Sequence, residues 1–308
     1  MLDIISVGPG EAVLLTDDAK QAIDRADAVW CAARHAVLVP PEKARPLSPL
    51  EGAIEQMRLS SDAGQSAAVL VSGDAGLYSL LEMLKRKIGG EYLRVHPGVS
   101  ALQLFAARLG VSWQDAKILS AHGRALSESA LCHAVRTHRQ TFCFLDAAHN
   151  PAWVRESLNL GGLENVWLFV GERLSYPDER TEAYDPDATY DPLCMAYIEN
   201  DAPESGLPPV GLSDEAFIRG KTPMTKRDVR ALVVSALHLK PNGVVWDIGA
   251  GTGSVSVECA RQCPLGEVYA VEMKDEALDL IRRNAERFHA LNLRVVPGRA
   301  PEVLSALP

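Results

Sequence analysis

The segment Trp246-Asp247-Ile248-Gly249-Ala250-Gly251-Thr252-Gly253 carries the most chemistry in this chain of 308 residues. The apolar run Val244-Val245-Trp246-Asp247 before it reads as a strand, and Ser254 to Gln262 after it reads as a helix. Glycines let the backbone turn tightly and approach a ligand closely. Free N–H groups at the start of the following helix favour a polar ligand. Glu272 closes the next strand, 25 residues beyond Asp247. A carboxylate there can accept both hydroxyls of a ribose. A dinucleotide and S-adenosylmethionine both satisfy this logic. Dinucleotide loops prefer the spacing G-x-G-x-x-G, whereas Gly249, Gly251 and Gly253 give G-x-G-x-G directly behind Asp247.

That second spacing resembles the first motif of Rossmann-like methyltransferases, which favours S-adenosylmethionine. A glycine turn with a structural role only is the plain alternative. Three further glycine-bearing segments lie in the N-terminal part: Val7-Gly8-Pro9-Gly10, Ser72-Gly73-Asp74-Ala75-Gly76-Leu77-Tyr78 and Pro97-Gly98-Val99-Ser100-Ala101. Each follows an apolar run of strand length. Singly, each is an ordinary turn. Together they gather at one edge of an open α/β sheet, the edge at which ligands bind.

The elements that must position these segments follow from apolar patterning and turn residues. Strands are expected at Ile4–Val7, Ala28–Trp30, Ala67–Val71 and Leu93–Val95, and helices at Thr16–Ala26, Leu77–Lys87 and Ala101–Leu109, with Thr16 as an N-cap. A second α/β stretch begins near Trp113, with strands at Ile118–Ser120, Thr141–Leu145, Val166–Val170 and Cys194–Ile198 and a helix at Pro151–Leu158. Pro203, Pro208 and Pro209 with Gly206 and Gly211 then mark a linker. Helices at Thr225–Leu239, Ser254–Gln262 and Asp275–Phe288 alternate with strands at Val244–Asp247, Val268–Glu272 and Leu293–Val296. Alternating strands and helices make an α/β fold with largely parallel sheets.

Composition narrows the classes. The formal charge of −9 and the lack of a Lys/Arg stripe argue against a nucleic-acid partner. An anionic small molecule needs only a local positive cluster. No apolar run reaches the length of a membrane span, and Met1-Leu2-Asp3-Ile4-Ile5 shows no secretory signal. The six cysteines, irregularly spaced, read as reduced thiols of a cytoplasmic protein. Cys259 and Cys263 lie four apart on a helix, but no further ligands accompany them, so no metal site is expected.

The order and wording of the N-terminal motifs resemble the tetrapyrrole methylase superfamily. Ala33-Arg34-His35 and Ser120-Ala121-His122-Gly123-Arg124 resemble its corrin C5 methylase branch. Beyond the linker, Asp214 to Lys221, Pro223-Met224-Thr225-Lys226 and Gly298-Arg299-Ala300-Pro301-Glu302 resemble the C15 methylase and decarboxylase of corrin synthesis. The whole is similar to the family of decarboxylating precorrin C5,15-methyltransferases of cobalamin biosynthesis. The resemblance implies a two-lobed methylase domain over residues 1–200, with lobes at about 1–112 and 113–200. It implies a linker at 201–220, and at 221–308 the opening part of a Rossmann-like methyltransferase domain whose further strands would follow Pro308. It implies a homo-oligomer, a dimer through the first domain.

The same resemblance implies site residues. S-adenosylmethionine would meet Pro9, Gly73, Asp74, Tyr78, Ser100 and Ala101 in the first domain, and Thr225, Gly249, Ala250, Gly251, Thr252, Gly253, Glu272 and Ala300 in the second. The substrate, a precorrin, carries acetate and propionate groups. Arg34, His35 and Arg124 are candidate partners for these, and Lys221, Lys226 and Arg227 form a second basic group. Methylation of an enamine-like ring carbon requires mainly alignment in a dry cleft, then loss of a proton. Asp74 and His122 are the candidate proton acceptors. His122 equally suits a structural turn, and Asp74 equally suits a loop brace. Two other readings stay open: a non-catalytic S-adenosylmethionine-binding module, and a methylase of another tetrapyrrole.

Overall fold

The computed structural model describes residues 1–123 and 125–308. Packing divides the chain into two compact units, Met1–Asp115 with Phe169–Met195, and Ala116–Leu168 with Ala196–Pro308.

Strands β1 (Leu2–Ser6), β2 (Ala28–Cys31), β3 (Ala44–Pro46), β4 (Ala67–Val71) and β5 (Leu93–His96) form the first sheet, in the order β3-β2-β4-β1-β5. The pairs β1–β4, β1–β5, β2–β3 and β2–β4 are all parallel. Central β1 and β4 are buried along their whole lengths, as a parallel sheet covered on both faces requires. Helices α1 (Asp17–Arg25), α2 (Leu50–Asp62), α3 (Leu81–Ile88) and α4 (Ala101–Leu109) connect the strands. One face packs Ile5, Val7, Ala19, Ile23 and Val29 together, the other Leu2, Ile4, Met57, Val69 and Leu84. Each such large side chain contributes about 1.5–3 kcal/mol when fully buried.

Local signals set the helix starts. Thr16 accepts the Ala19 N–H at 3.1 Å, and Asp17 and Asp18 occupy the first turn of α1. Ser100 opens α4 with a reciprocal capping box to Gln103. The helix expected from Leu77 begins instead at Leu81. Residues 74–78 are held in a turn by the Leu77 N–H on the Asp74 carbonyl, and Tyr78 has a positive φ of 49°.

Strands β6 (Lys117–Ser120), β7 (Gln140–Phe144), β8 (Trp167–Glu172), β9 (Arg180–Ala183) and β10 (Cys194–Glu199) form a second sheet of order β6-β7-β10-β8-β9. β6 and β7 are parallel, β8 and β9 antiparallel. Helices α5 (Glu128–Thr137) and α6 (Pro151–Leu160) belong to this stretch.

Helices α7 (Arg227–Ala236), α8 (Ser254–Gln262) and α9 (Asp275–Arg287) accompany a third, parallel sheet of β11 (Val244–Ile248), β12 (Glu267–Glu272) and β13 (Leu293–Pro297), in that order. Its core gathers Val257, Val268, Ala270, Ile281 and Leu293. Val244, Trp246 and Ile248 alternate along β11 and remain exposed. Arg230, fully buried on α7, fixes the approach to this sheet. It donates to Glu258 at 3.1 Å, to Asp214 at 3.2 Å, to the Thr225 carbonyl at 2.7 Å and to the Leu212 carbonyl. Glu258 in turn accepts the N–H groups of Gly211 and Leu212. All six cysteines are thiols outside any disulfide, and all are buried. Burial pushes the Cys132 and Cys259 thiols up to about 12, so both stay protonated at neutral pH.

Candidate functional sites

In the first unit, three loops meet at the carboxyl ends of β1, β4 and β5. Gly8 and Gly73 exchange both backbone hydrogen bonds, at 3.2 and 2.7 Å, so the loops after β1 and β4 are zipped together. Both glycines have φ of +67°, a conformation that side chains disfavour. Pro9, next to this bridge, is buried. The Ser6 hydroxyl accepts the Ala75 N–H at 2.9 Å. Asp74 joins the third loop: Oδ1 accepts the Gly76 N–H at 2.8 Å and Oδ2 accepts the Gly98 N–H at 3.2 Å. Gly98 lies so close to β1 that an added Cβ would stand 2.8 Å from the Ser6 carbonyl oxygen. Ser100 and Ala101 follow at the start of α4, where uncommitted N–H groups give the positive end of the helix dipole.

Arg34 and His35 stand beyond β2. The Arg34 guanidinium donates from Nε to His35 Nε2 at 3.2 Å and from Nη2 to the Ser72 hydroxyl at 2.6 Å. His35 is completely buried, and burial with the adjacent Arg34 charge lowers its pKa to about 4. At neutral pH it is uncharged. This corrects the expectation that His35 offers a cation to a carboxylate; it supports Arg34 instead. Ser72, the first residue of the second glycine-bearing segment, and Tyr176, which lies in no sequence motif, enter this neighbourhood. The Tyr176 hydroxyl packs on Gly10, as does the edge of His35. The one local signal near Tyr176 is the positive φ of Arg173 and Ser175, which sequence patterning does not show.

His122 belongs to the other compact unit. It lies in the turn after β6 with its side chain exposed. Arg124 lies outside the described residues.

The second site surrounds the glycine loop after β11. Gly249, Gly251 and Gly253 all have positive φ, at 80°, 57° and 74°. The N–H groups of Gly249 and Ala250 both reach the Val271 carbonyl, at 2.9 and 3.0 Å, so the loop folds over the end of β12. Glu272 is braced by backbone. Its Oε2 accepts the Gly251 N–H at 3.0 Å, and its Oε1 accepts the N–H groups of Met273 and Lys274 at 2.8 and 3.0 Å. Burial opposes its charge, yet the Lys274, Met273 and Gly251 N–H groups outweigh that and hold its carboxyl below the usual glutamate range. Three of roughly four acceptor positions are thereby engaged, with one left on Oε2. Asp247, pushed up by burial, accepts the Ser256 hydroxyl and fixes the start of α8.

Other members of the expected set lie around this loop. The Pro223 carbonyl and Thr222 side chain run against Gly251, two residues before Thr225. Thr252 is buried, and its hydroxyl finds no hydrogen-bond partner among the described residues. Ala300 follows β13, after a Gly298 whose N–H donates to the Glu272 carbonyl at 2.9 Å. Of the basic group, Lys226 pairs with Asp214 at 3.8 Å and Arg227 donates to the Gly211 carbonyl at 3.1 Å, so both brace the segment before α7. The glycine loop, the ionised Glu272 and the orphaned Thr252 hydroxyl together fit an adenosyl ligand that carries a ribose.

The sequence profile of the tetrapyrrole (corrin/porphyrin) methylases matches residues 1–185, and that of a precorrin methyltransferase domain matches residues 215–308. A decarboxylating precorrin-6Y C(5,15)-methyltransferase from a Sinorhizobium species is 32% identical over 321 aligned residues, covering 100% of this chain and 76% of that protein. A probable decarboxylating cobalt-precorrin-6B C(15)-methyltransferase from Pyrobaculum calidifontis is 50% identical over 101 residues, which are 32% of this chain and 52% of that protein. The chain thus spans about half the length of this single-function relative. Among solved structures, a precorrin-6Y methylase from Archaeoglobus fulgidus superposes with a TM-score of 0.50 at 21% identity, over 65% of this chain and 98% of that one. That likeness concerns the fold.

Proposed function

Because the chain belongs to the tetrapyrrole methylases, and among them to the precorrin C5,15-methyltransferases, we propose that its first domain methylates C5 of a precorrin. The methyl donor is S-adenosylmethionine, whose sulfonium supplies an already activated methyl group. The observation that carries the reading is the match of all of this chain to 76% of one relative, combined with a separate glycine-loop set in each matched part.

In this reading residues 1–200 form the first methylase domain, 201–220 the linker and 221–308 part of the second. Gly8, Gly73 and Gly98 shape the backbone, while Pro9, Tyr78, Ser100 and Ala101 line the donor site. The two backbone bonds of Asp74 support a bracing role over proton transfer. Exposed His122 is then the candidate proton acceptor. Arg34 and Arg124 receive ring carboxylates, since arginine pairs with them through two parallel hydrogen bonds. In the second part Thr225, the 249–253 loop, Glu272 and Ala300 hold a second donor molecule. C15 methylation with decarboxylation is proposed for the whole protein, to which residues 215–308 contribute the donor side.

We further propose a cytoplasmic homodimer, associated through the first domain, with no nucleic-acid or membrane partner. The acidic charge of −9 speaks against a nucleic-acid partner, and among the described residues no helix is long and apolar enough to cross a membrane.

Mass spectrometry of product, after incubation with S-adenosylmethionine and either precorrin-7 or precorrin-6B, tests the reading. One methyl added to precorrin-7 is the expected result. Methylation with loss of carbon dioxide from precorrin-6B assigns the second activity to this chain as well. Donor binding without change to either ring favours the binding-module reading.

A further inference from the structure

Several of the chain's arginines have carboxylate partners. Arg58, Arg108, Arg173, Arg180, Arg230 and Arg294 each lie within 4.0 Å of one. Arg34 has none among the described residues, although its guanidinium is held at two points. A guanidinium only donates. The Nε bond therefore requires a lone pair on His35 Nε2, and the Nη2 bond requires Ser72 to accept. The Ser72 hydroxyl lies 2.8 Å from the same Nε2, so its hydrogen shares that one lone pair with the Arg34 Nε–H. The three side chains close a triangle that occupies the Nε–Nη2 edge of Arg34. Among the described residues the Nη1–Nη2 edge has no partner, which is the geometry that takes a carboxylate through two parallel bonds.

The arrangement has a cost. With Nε2 accepting, the neutral ring carries its proton on Nδ1, which is buried and has no partner among the described residues. An apolar residue at position 35 would avoid that orphan. Ala32, Ala33 and Ala36, which flank the pair, line an apolar groove of about 570 Å³ that also takes in Leu47, Leu50 and Leu80. An immobilised cation next in sequence to an apolar groove suits a largely apolar ring bearing acid side chains.

We propose that Ser72 and His35 are positioning residues, which hold Arg34 so that its outer edge receives one peripheral carboxylate of the precorrin. The inference rests on the C5 methylation reading given above. Ser72 acts through Arg34 and not on the reacting atoms.

Steady-state kinetics with precorrin-7 test it, with donor affinity measured separately by calorimetric titration of S-adenosylmethionine. Ser72→Ala is expected to raise KM for the precorrin about tenfold, the loss of one charge-assisted hydrogen bond, with kcat within about twofold. Donor affinity should not move. Ser72→Thr and His35→Gln, which keep an acceptor, should restore KM towards the unaltered value, whereas His35→Leu should not. Arg34→Ala combined with Ser72→Ala should be no worse than Arg34→Ala alone. An unchanged KM for Ser72→Ala, additive losses in the double variant, or a parallel fall in donor affinity would each overturn the proposal. Absence of methyl transfer by the unaltered protein sinks the functional reading itself, and the proposal with it.

Discussion

The carboxylate of Asp74 accepts the backbone N–H of Gly98 at 3.2 Å and so ties the loop after β4 to the loop after β5. With its other oxygen on the Gly76 N–H, this one side chain organises two of the three loops of the first site. Asp74→Ala should therefore cost about 1–3 kcal/mol of stability and weaken donor binding, because two backbone donors lose their acceptor. Asp74→Asn keeps one acceptor oxygen and should lie between. Denaturant unfolding and titration with S-adenosylmethionine read the two effects. Full donor affinity in Asp74→Ala would contradict the bracing role.

Glu272 makes the parallel case in the second site. Glu272→Gln replaces one acceptor oxygen by an amide donor, which would face either the Gly251 N–H or the pair from Met273 and Lys274. Donor affinity at this site should fall about tenfold or more, since a charged acceptor bond is worth about 1.5–3 kcal/mol. Titration of a variant whose first site is disabled by Gly98→Trp isolates the measurement. Unchanged affinity would remove Glu272 from the ligand's surroundings.

Arg230 and Glu258 are both fully buried and 3.1 Å apart. Removing one charge leaves the other stranded, so Arg230→Met should destabilise the second unit by about 3–5 kcal/mol. Restoring volume with Met and neutralising Glu258→Gln together should recover much of that loss. Urea unfolding followed by Trp246 fluorescence, in a background whose other four tryptophans are replaced by Phe, reports on this sheet. A double variant as unstable as the single one would mean that the segment 211–217, and not charge, is the source of the effect.

His35 predicts an acid limb. Its pKa lies at about 4 in the folded chain against 6.5 for an ordinary histidine, so below pH 6.5 the unfolded state binds the extra proton. Its contribution to stability is complete above pH 6.5 and is lost as pH falls towards 4, by at most about 3 kcal/mol. His35→Gln, which cannot titrate, should flatten the stability profile across that window. Parallel profiles for the two proteins would show that His35 is solvated and titrates normally.

Much of the fold is legible in the sequence because its signals are local. Thr16 and Ser100 are caps whose partners lie three residues away, and the continuous apolar runs of β1 and β4 announce strands buried on both faces. Helix α8 was expected at Ser254–Gln262 and occurs there, since the glycine loop before it leaves little other choice. Weaker elements escaped. Helix α2 buries only Ala53, Ile54 and Met57, a stripe too thin to stand out, and β3 is three residues long.

The glycine-rich turns after β1, β4, β5 and β11 are legible in the sequence, because turn chemistry at a strand end is a matter of neighbouring residues. What each side chain does there was decided by tertiary structure. Asp74 meets Gly98 across 24 residues, Arg34 meets Ser72 across 38, and Arg230 meets Glu258 across 28. His35 looks like a cation in the sequence, and burial makes it neutral. Charge, tautomer and free hydrogen-bonding edge depend on what packs around a group, and nothing in the order of residues states that.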